Sequence, residues 1–165
     1  MNPTWVMGFP TGHETGTFLA LDMGGTNLRV CQVTLTDQQS EFDIIQSKYR
    51  IPPPLKTGTA EELFEYIADC LLQFIQTHHD DLSQIGRMPL GFTFSYPATQ
   101  NYIDEGILQR WTKGFDIEGV EGKNVVPMFE AALARRVGSH FSVSRNTGYT
   151  KYFPGSPYPA GRPDQ

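Results

Sequence analysis

A chain of 165 residues is long enough for one domain with its own core. Thirteen basic and eighteen acidic side chains leave a net charge of −5, which argues against a sequence-independent nucleic-acid binder, because that function needs a basic face. No basic stretch followed by a long apolar run opens the chain, and its apolar runs are too short for a bilayer, so the expected location is cytoplasmic, without membrane insertion.

Met1 to Gly16 is rich in Pro, Gly and Thr, with Trp5 and Phe9 as apolar anchors, and is expected to lie along the domain edge. Phe18, Leu19, Ala20 and Leu21 then form a short apolar run, expected as a strand buried on both faces. Leu28, Val30 and Val33, alternating with Arg29 and Gln32, predict a second strand. Between them sits Asp22-Met23-Gly24-Gly25-Thr26-Asn27. Two glycines let the backbone turn sharply and approach a ligand without a Cβ in the way. Their N–H groups can converge on phosphate oxygens, Thr26 and Asn27 add side-chain donors, and Asp22 can hold a magnesium ion or its water shell. A plain hairpin turn is the competing reading of Gly-Gly alone.

Thr36 to Ser40 reads as a hairpin connection, and Glu41 to Arg50 as a third antiparallel strand with Phe42, Ile44 and Tyr49 inward. Pro52-Pro53-Pro54 ends it. Thr59-Ala60-Glu61-Glu62 is a capping-box signature. The helix behind it carries Leu63, Ile67, Leu71 and Ile75 at four-residue spacing, flanked by Phe64, Leu72 and Phe74. Glu61, Glu62, Glu65 and Asp69 are expected on its solvated side, and His78 and His79 in a solvated final turn rather than in a metal site. Cys31 and Cys70 are isolated and read as small hydrophobes in a reducing compartment.

Pro89 to Phe94 predicts a fourth, buried strand, ending at Ser95-Tyr96-Pro97-Ala98-Thr99. The loop after such a strand is a common ligand position in α/β folds, so Ser95 is either a ligand contact or a turn residue. Ile103 to Trp111 contains a further short strand, packed through Ile107 and Trp111, and Thr112-Lys113-Gly114-Phe115 follows. Asn124 to Arg136 predicts a second helix with Val125, Val126, Phe129, Ala132 and Leu133 inward and Arg135 and Arg136 complementing its C-terminus. From Val137 onward periodicity vanishes, and residues 137–165 read as an unstructured tail.

The strand–Asp-x-Gly-Gly-Thr-Asn-x-Arg–strand pattern resembles the first phosphate loop of the sugar kinase, heat-shock ATPase and actin superfamily, and not the P-loop, which has no counterpart here. Trp5 to Met7, Phe9 to Gly12, Leu21 to Val30, Gln46 to Arg50, Leu90 to Pro97 and Glu105 to Phe115, in that order, resemble a eukaryotic, fungal hexokinase over roughly residues 1–136. The resemblance implies an α/β, ribonuclease H-like small lobe: a mixed sheet whose first three strands are antiparallel, with flanking helices. It implies ATP-dependent phosphorylation of a hexose, glucose above all, at the 6-hydroxyl, the first step of glycolysis, with ATP and Mg2+ as cofactors. It assigns Ser95, Thr112 and Lys113 to the hexose, and Lys113 also to transition-state charge. Asp22, Gly24, Gly25, Thr26, Asn27 and Arg29 go to the ATP phosphates, with Asp22 an indirect metal contact.

The sequence departs from that family in two places. The helical stretch that precedes the family's first core segment is expected to be absent. After the second helix the family continues with a strand and an Asn-Asp-Thr-Thr-Gly-Thr loop whose Asp is the general base; here only Asn146-Thr147-Gly148 echoes it. The break at Arg136/Val137 is expected to reflect a frame change, a retained intron or an incomplete gene model. The chain alone is expected to be inactive, with a non-catalytic hexose-binding or regulatory fragment as the alternative. The preferred hexose and the oligomeric state are not written in the sequence.

Overall fold

The structure, a computed structural model, describes residues 12–36, 41–79, 88–102 and 104–137. Expectations for Trp5 and Phe9, for the connection at 37–40, for Ile103 and for the tail beyond Val137 fall outside the described residues.

Strands β1 (Gly16–Met23), β2 (Asn27–Leu35) and β3 (Phe42–Arg50) form the expected antiparallel meander. Strand β4 (Leu90–Phe94) joins β1 in parallel, giving a mixed sheet of order β3-β2-β1-β4. A parallel neighbour needs a crossover, and helix α1 (Ala60–His78) lies in that connection. A two-stranded ladder of β5 (Ala98–Thr99) and β6 (Ile107–Leu108) leads to helix α2 (Val125–Val137).

Among the described residues, one face of the sheet is buried. Leu19, Leu21, Met23, Leu28, Val30 and Leu90 share a core with Leu63, Phe64, Ile67, Leu71, Phe74 and Ile75 of α1 and Val125, Phe129, Ala132 and Leu133 of α2. Burying each large apolar side chain contributes about 1.5–3 kcal/mol. On the other face Phe18 and Ala20 are half-buried, so β1 is not covered on both sides as expected. The same holds for β4: Leu90 is buried and Phe92 packs on Phe129, while Gly91 and Thr93 are exposed.

Strand parity corrects two further expectations. On β2 the inward set is Leu28, Val30 and Gln32, with Val33 on the opposite face. Gln32 is buried because its side chain pairs with the ring of His79, the C-cap residue of α1. On β3, Phe42 and Ile44 lie across from Leu35 and Val33, on the open face, and are 58% and 52% exposed. Tyr49, on the other parity, packs against the core.

The capping box is present: Glu62 N–H donates to Thr59 Oγ1 at 3.2 Å, and Thr59 N–H donates to Glu62 Oε2 at 2.8 Å. The remaining carboxylates of α1 are not simply solvated. Arg135 reaches Glu61 at 3.3 Å and Glu65 at 2.9 Å, and Arg136 reaches Glu65 at 3.1 Å and Asp69 at 3.3 Å. The paired arginines therefore bridge α2 to α1, rather than serving only their own helix end. Gln76, Thr77 and His78 are exposed, as expected of a solvated final turn, with the His78 ring against Phe74; only the C-cap residue His79, paired with Gln32, is half-buried. Val126, expected inward, is only half-buried, and Leu72, flanking the α1 stripe, is half-buried too.

Candidate functional site

Three separate stretches converge at the carboxyl ends of β1 and β4. The first is the turn between β1 and β2. Its Gly24 N–H donates to Asn27 O at 3.0 Å, closing the turn, and Thr26 O accepts from Ile51 N–H at 2.9 Å. Gly24 thus contributes its amide to the turn and its carbonyl to the site, where Tyr96 Oη donates to it at 2.9 Å. Neither Gly24 nor Gly25 sits in the left-handed region. Gly25 is needed for close approach instead: a Cβ there would lie 2.7 Å from Lys113 Cβ and 3.0 Å from Lys113 Cδ.

The second stretch follows β4. Ser95 N–H donates to Met23 O at 3.3 Å, extending the β1–β4 ladder by one bond, and Ser95 Oγ donates to Asp22 Oδ1 at 3.4 Å. The other oxygen of Asp22 faces Arg29 at 3.4 Å across the β1–β2 pair.

The third is the Thr112–Phe115 turn, closed by Phe115 N–H to Thr112 O at 3.1 Å. Lys113 has φ 58°, a left-handed conformation rare for a side chain without a local polar reason to adopt it. That backbone places its ammonium on the carbonyl of Ser95 and 4.9 Å from the centre of the Tyr96 ring. Lys56, in the short 3-10 helix Pro53–Lys56, supports the turn: its carbonyl accepts from Asp116 N–H at 2.8 Å.

Beneath these loops lies an aromatic cluster. Trp111 stacks on Phe115 at 5.4 Å, Tyr96 meets Trp111 edge-on at 5.2 Å, and the indole N–H donates to Ile117 O at 3.0 Å. Burial pushes the Tyr96 phenol above its ordinary value, so its hydroxyl keeps its proton for Gly24.

The fold therefore brings together Asp22, Gly24, Gly25, Ser95 and Lys113. Thr112 flanks them, Arg29 joins through Asp22, and Thr26 and Asn27 lie at the far end of the turn, where Asn27 opens β2 opposite Arg50. The sequence reading missed Tyr96 as a tether between two loops. Its only signal is a tyrosine beside the serine, and the partner is a backbone carbonyl 72 residues away.

A magnesium site made by protein alone is not built here: among the described residues no three His, Cys, Asp or Glu side chains cluster for a metal. Asp22, with its side chain 41% exposed, fits the other habit of magnesium, which keeps water and phosphate oxygens and takes one or two carboxylates.

A mixed sheet of this order, with an acidic diglycine turn after its first strand and a serine loop after its parallel neighbour, defines the small lobe of a ribonuclease H-like fold. Solved structures agree. A hexokinase from Schistosoma mansoni complexed with glucose superposes with a TM-score of 0.73 and 42% identity, covering 83% of this chain and 30% of that one. A second hexokinase crystal structure gives a TM-score of 0.62 at 34% identity. The family model described as Hexokinase matches residues 1–145. The chain belongs to the hexokinase family.

The hexokinase of Emericella nidulans is 69% identical over 136 residues, which is 82% of this chain and 28% of that protein. Hexokinase-1 of Saccharomyces cerevisiae is 53% identical over 137 residues, and hexokinase-2 of Rattus norvegicus 45% over 139. The chain spans about 28% of the length of the fungal relatives it matches. Among the described residues no helix is long and apolar enough to cross a membrane.

Proposed function

We propose that residues 1–136 supply the small-lobe half of a cytoplasmic site for ATP-dependent phosphorylation of a hexose at its 6-hydroxyl, and that residues 137–165 are a divergent tail. The observation that carries this reading is the convergence of the Asp22–Gly25 turn, Ser95 and Lys113 in one place, on a chain whose structural neighbour is complexed with glucose.

In this reading Ser95 and Thr112 offer neutral hydroxyls to the ring hydroxyls of the sugar. Such a site rejects analogues lacking a hydroxyl because its own polar groups are then left unpaired. Lys113 supplies positive charge beside the moving phosphoryl group and contacts the sugar as well. The amides of Gly25 and Thr26, with the Asn27 and Arg29 side chains, are the donors for the phosphates of ATP. Asp22 would hold a phosphate-borne magnesium ion, which supplies charge neutralisation to phosphoryl transfer. The resemblance puts the general base in a loop with no counterpart here, and loss of such a group typically lowers the rate about 10²–10⁴-fold. That loss, on a chain spanning 28% of the length of its Emericella nidulans relative, makes the 165-residue chain by itself expected to be inactive.

The test is a graft. Residues 1–136 replace the matched segment of the Emericella nidulans hexokinase, and glucose-dependent ADP formation is measured beside purified 1–165. The graft turns over and the isolated chain does not. An inactive but folded graft overturns the assignment, and turnover by 1–165 overturns the inactivity. A second reading, a non-catalytic hexose-binding or regulatory fragment, is favoured by the supported Ser95 and Lys113 loops within this chain. Calorimetry of 1–165 with glucose decides it, and no heat at millimolar sugar removes it.

A further inference from the structure

The turn that carries Thr112 and Lys113 is the tip of a loop running from Leu108 to Lys123. Backbone bonds close its neck: Leu108 N–H donates to Lys123 O at 3.1 Å, and Gly122 N–H donates to Leu108 O at 2.7 Å. Val120, fully buried, anchors the returning limb, and Trp111 anchors the outgoing one through its ring. Between these anchors, besides the indole N–H that reaches Ile117 O, one carboxylate crosses the loop. Glu121 Oε1 accepts the N–H of Trp111 at 2.6 Å, immediately before Thr112. A carboxylate accepting from a backbone amide makes a short, charge-assisted bond, roughly twice as strong as a neutral one.

That bond fixes a different degree of freedom from the ring contacts. The indole is held by Phe115, Tyr96 and Ile117. Rotation of the peptide joining Arg110 to Trp111 would still swing Thr112 and Lys113 relative to Ser95, and Glu121 prevents it. The fit is narrow, since Lys113 already packs against the bare Cα of Gly25 on one side and the Ser95 carbonyl on the other. Its left-handed backbone also needs outside support to persist.

We propose that Glu121 is a positioning residue for hexose recognition: its carboxylate holds the Trp111 amide so that Thr112 and Lys113 stay in register with Ser95. This rests on the function proposed above. Glu121 touches neither substrate and acts through Trp111.

The test uses the same graft with Glu121→Ala and Glu121→Gln, measuring KM for glucose, KM for ATP and kcat, with thermal unfolding alongside. Glu121→Ala raises KM for glucose about tenfold and lowers kcat, within the losses that a misplacement of about 1 Å brings, while KM for ATP stays within about twofold. Glu121→Gln, which keeps an acceptor oxygen, restores KM for glucose to within about threefold of the parent graft. A purely structural role lowers the amount of active protein, and so the apparent kcat, without moving KM for glucose. An unchanged KM in Glu121→Ala overturns the proposal, as does a Gln variant no better than Ala. An inactive parent graft instead sinks the hexokinase assignment itself, and the proposal with it.

Discussion

Gly25 and Lys113 stand in van der Waals contact, with Lys113 Cβ 2.7 Å from where a Gly25 Cβ would be. The pair joins the diglycine turn to the lysine turn 88 residues further along the chain, and it separates two glycines that look equivalent in sequence. A Cβ on Gly24 would meet only Asn27 O at 3.5 Å, an ordinary contact. Gly25→Ala in the graft should therefore lower kcat/KM for glucose by about 10–100-fold, because it displaces Lys113. Gly24→Ala should stay within about threefold, because a few tenths of a kcal/mol is the cost expected of an ordinary contact. Steady-state kinetics on the two grafts checks the contrast.

Lys113 sits in the left-handed region, which costs an ordinary side chain about 1–2 kcal/mol and glycine almost nothing. In 1–165, Lys113→Gly should be more stable than Lys113→Ala by about 1 kcal/mol, measured by urea unfolding. Both variants should lose activity in the graft, since neither carries the ammonium.

The capping box sets a pH dependence. The Thr59 amide, and next its hydroxyl, hold the Glu62 carboxyl below its ordinary value of 4.5. A carboxyl depressed in the folded state stabilises above the unfolded value and loses that contribution as pH falls through the folded one. Wild type should melt above Glu62→Gln near neutral pH, and the two melting curves should converge once the pH is well below 4.5. Thr59→Ala should cost about 1 kcal/mol at neutral pH.

Burial pushes the Cys70 thiol up to about 11, and Cys70 is only 4% exposed. Burial also raises Cys31, against the pull of Arg29, but Cys31 is half-buried on the open sheet face. Iodoacetamide at mildly alkaline pH should modify Cys31 in the native chain and leave Cys70 until denaturant is added, because alkylation follows thiolate and access together. Peptide mass mapping reads the order directly.

On the open face, Ile44 is 52% exposed in strand β3 at the edge of the described sheet. Ile44→Thr keeps a β-branched strand former and removes apolar surface. Stability should change by less than about 0.5 kcal/mol, while the light-scattering onset of 1–165 should move to higher protein concentration.

The spacing of residues within a few positions of one another determined most of the elements: the alternation of β2, the Thr59–Glu62 cap, the four-residue stripe of α1, and the ordered motifs that mark the family. Those signals are local, so they survive in a bare string of letters. Which face of a strand is covered is not local. Phe42 and Ile44 look inward by hydrophobicity, but parity sets them on the face the helices leave open, while Gln32 is taken inside because His79 is there to meet it. The arginines of α2 likewise find their partners on α1, and Gly25 owes its bareness to Lys113 rather than to its own backbone angles. Only the folded chain decides such pairings, because each depends on which layer another element happens to cover.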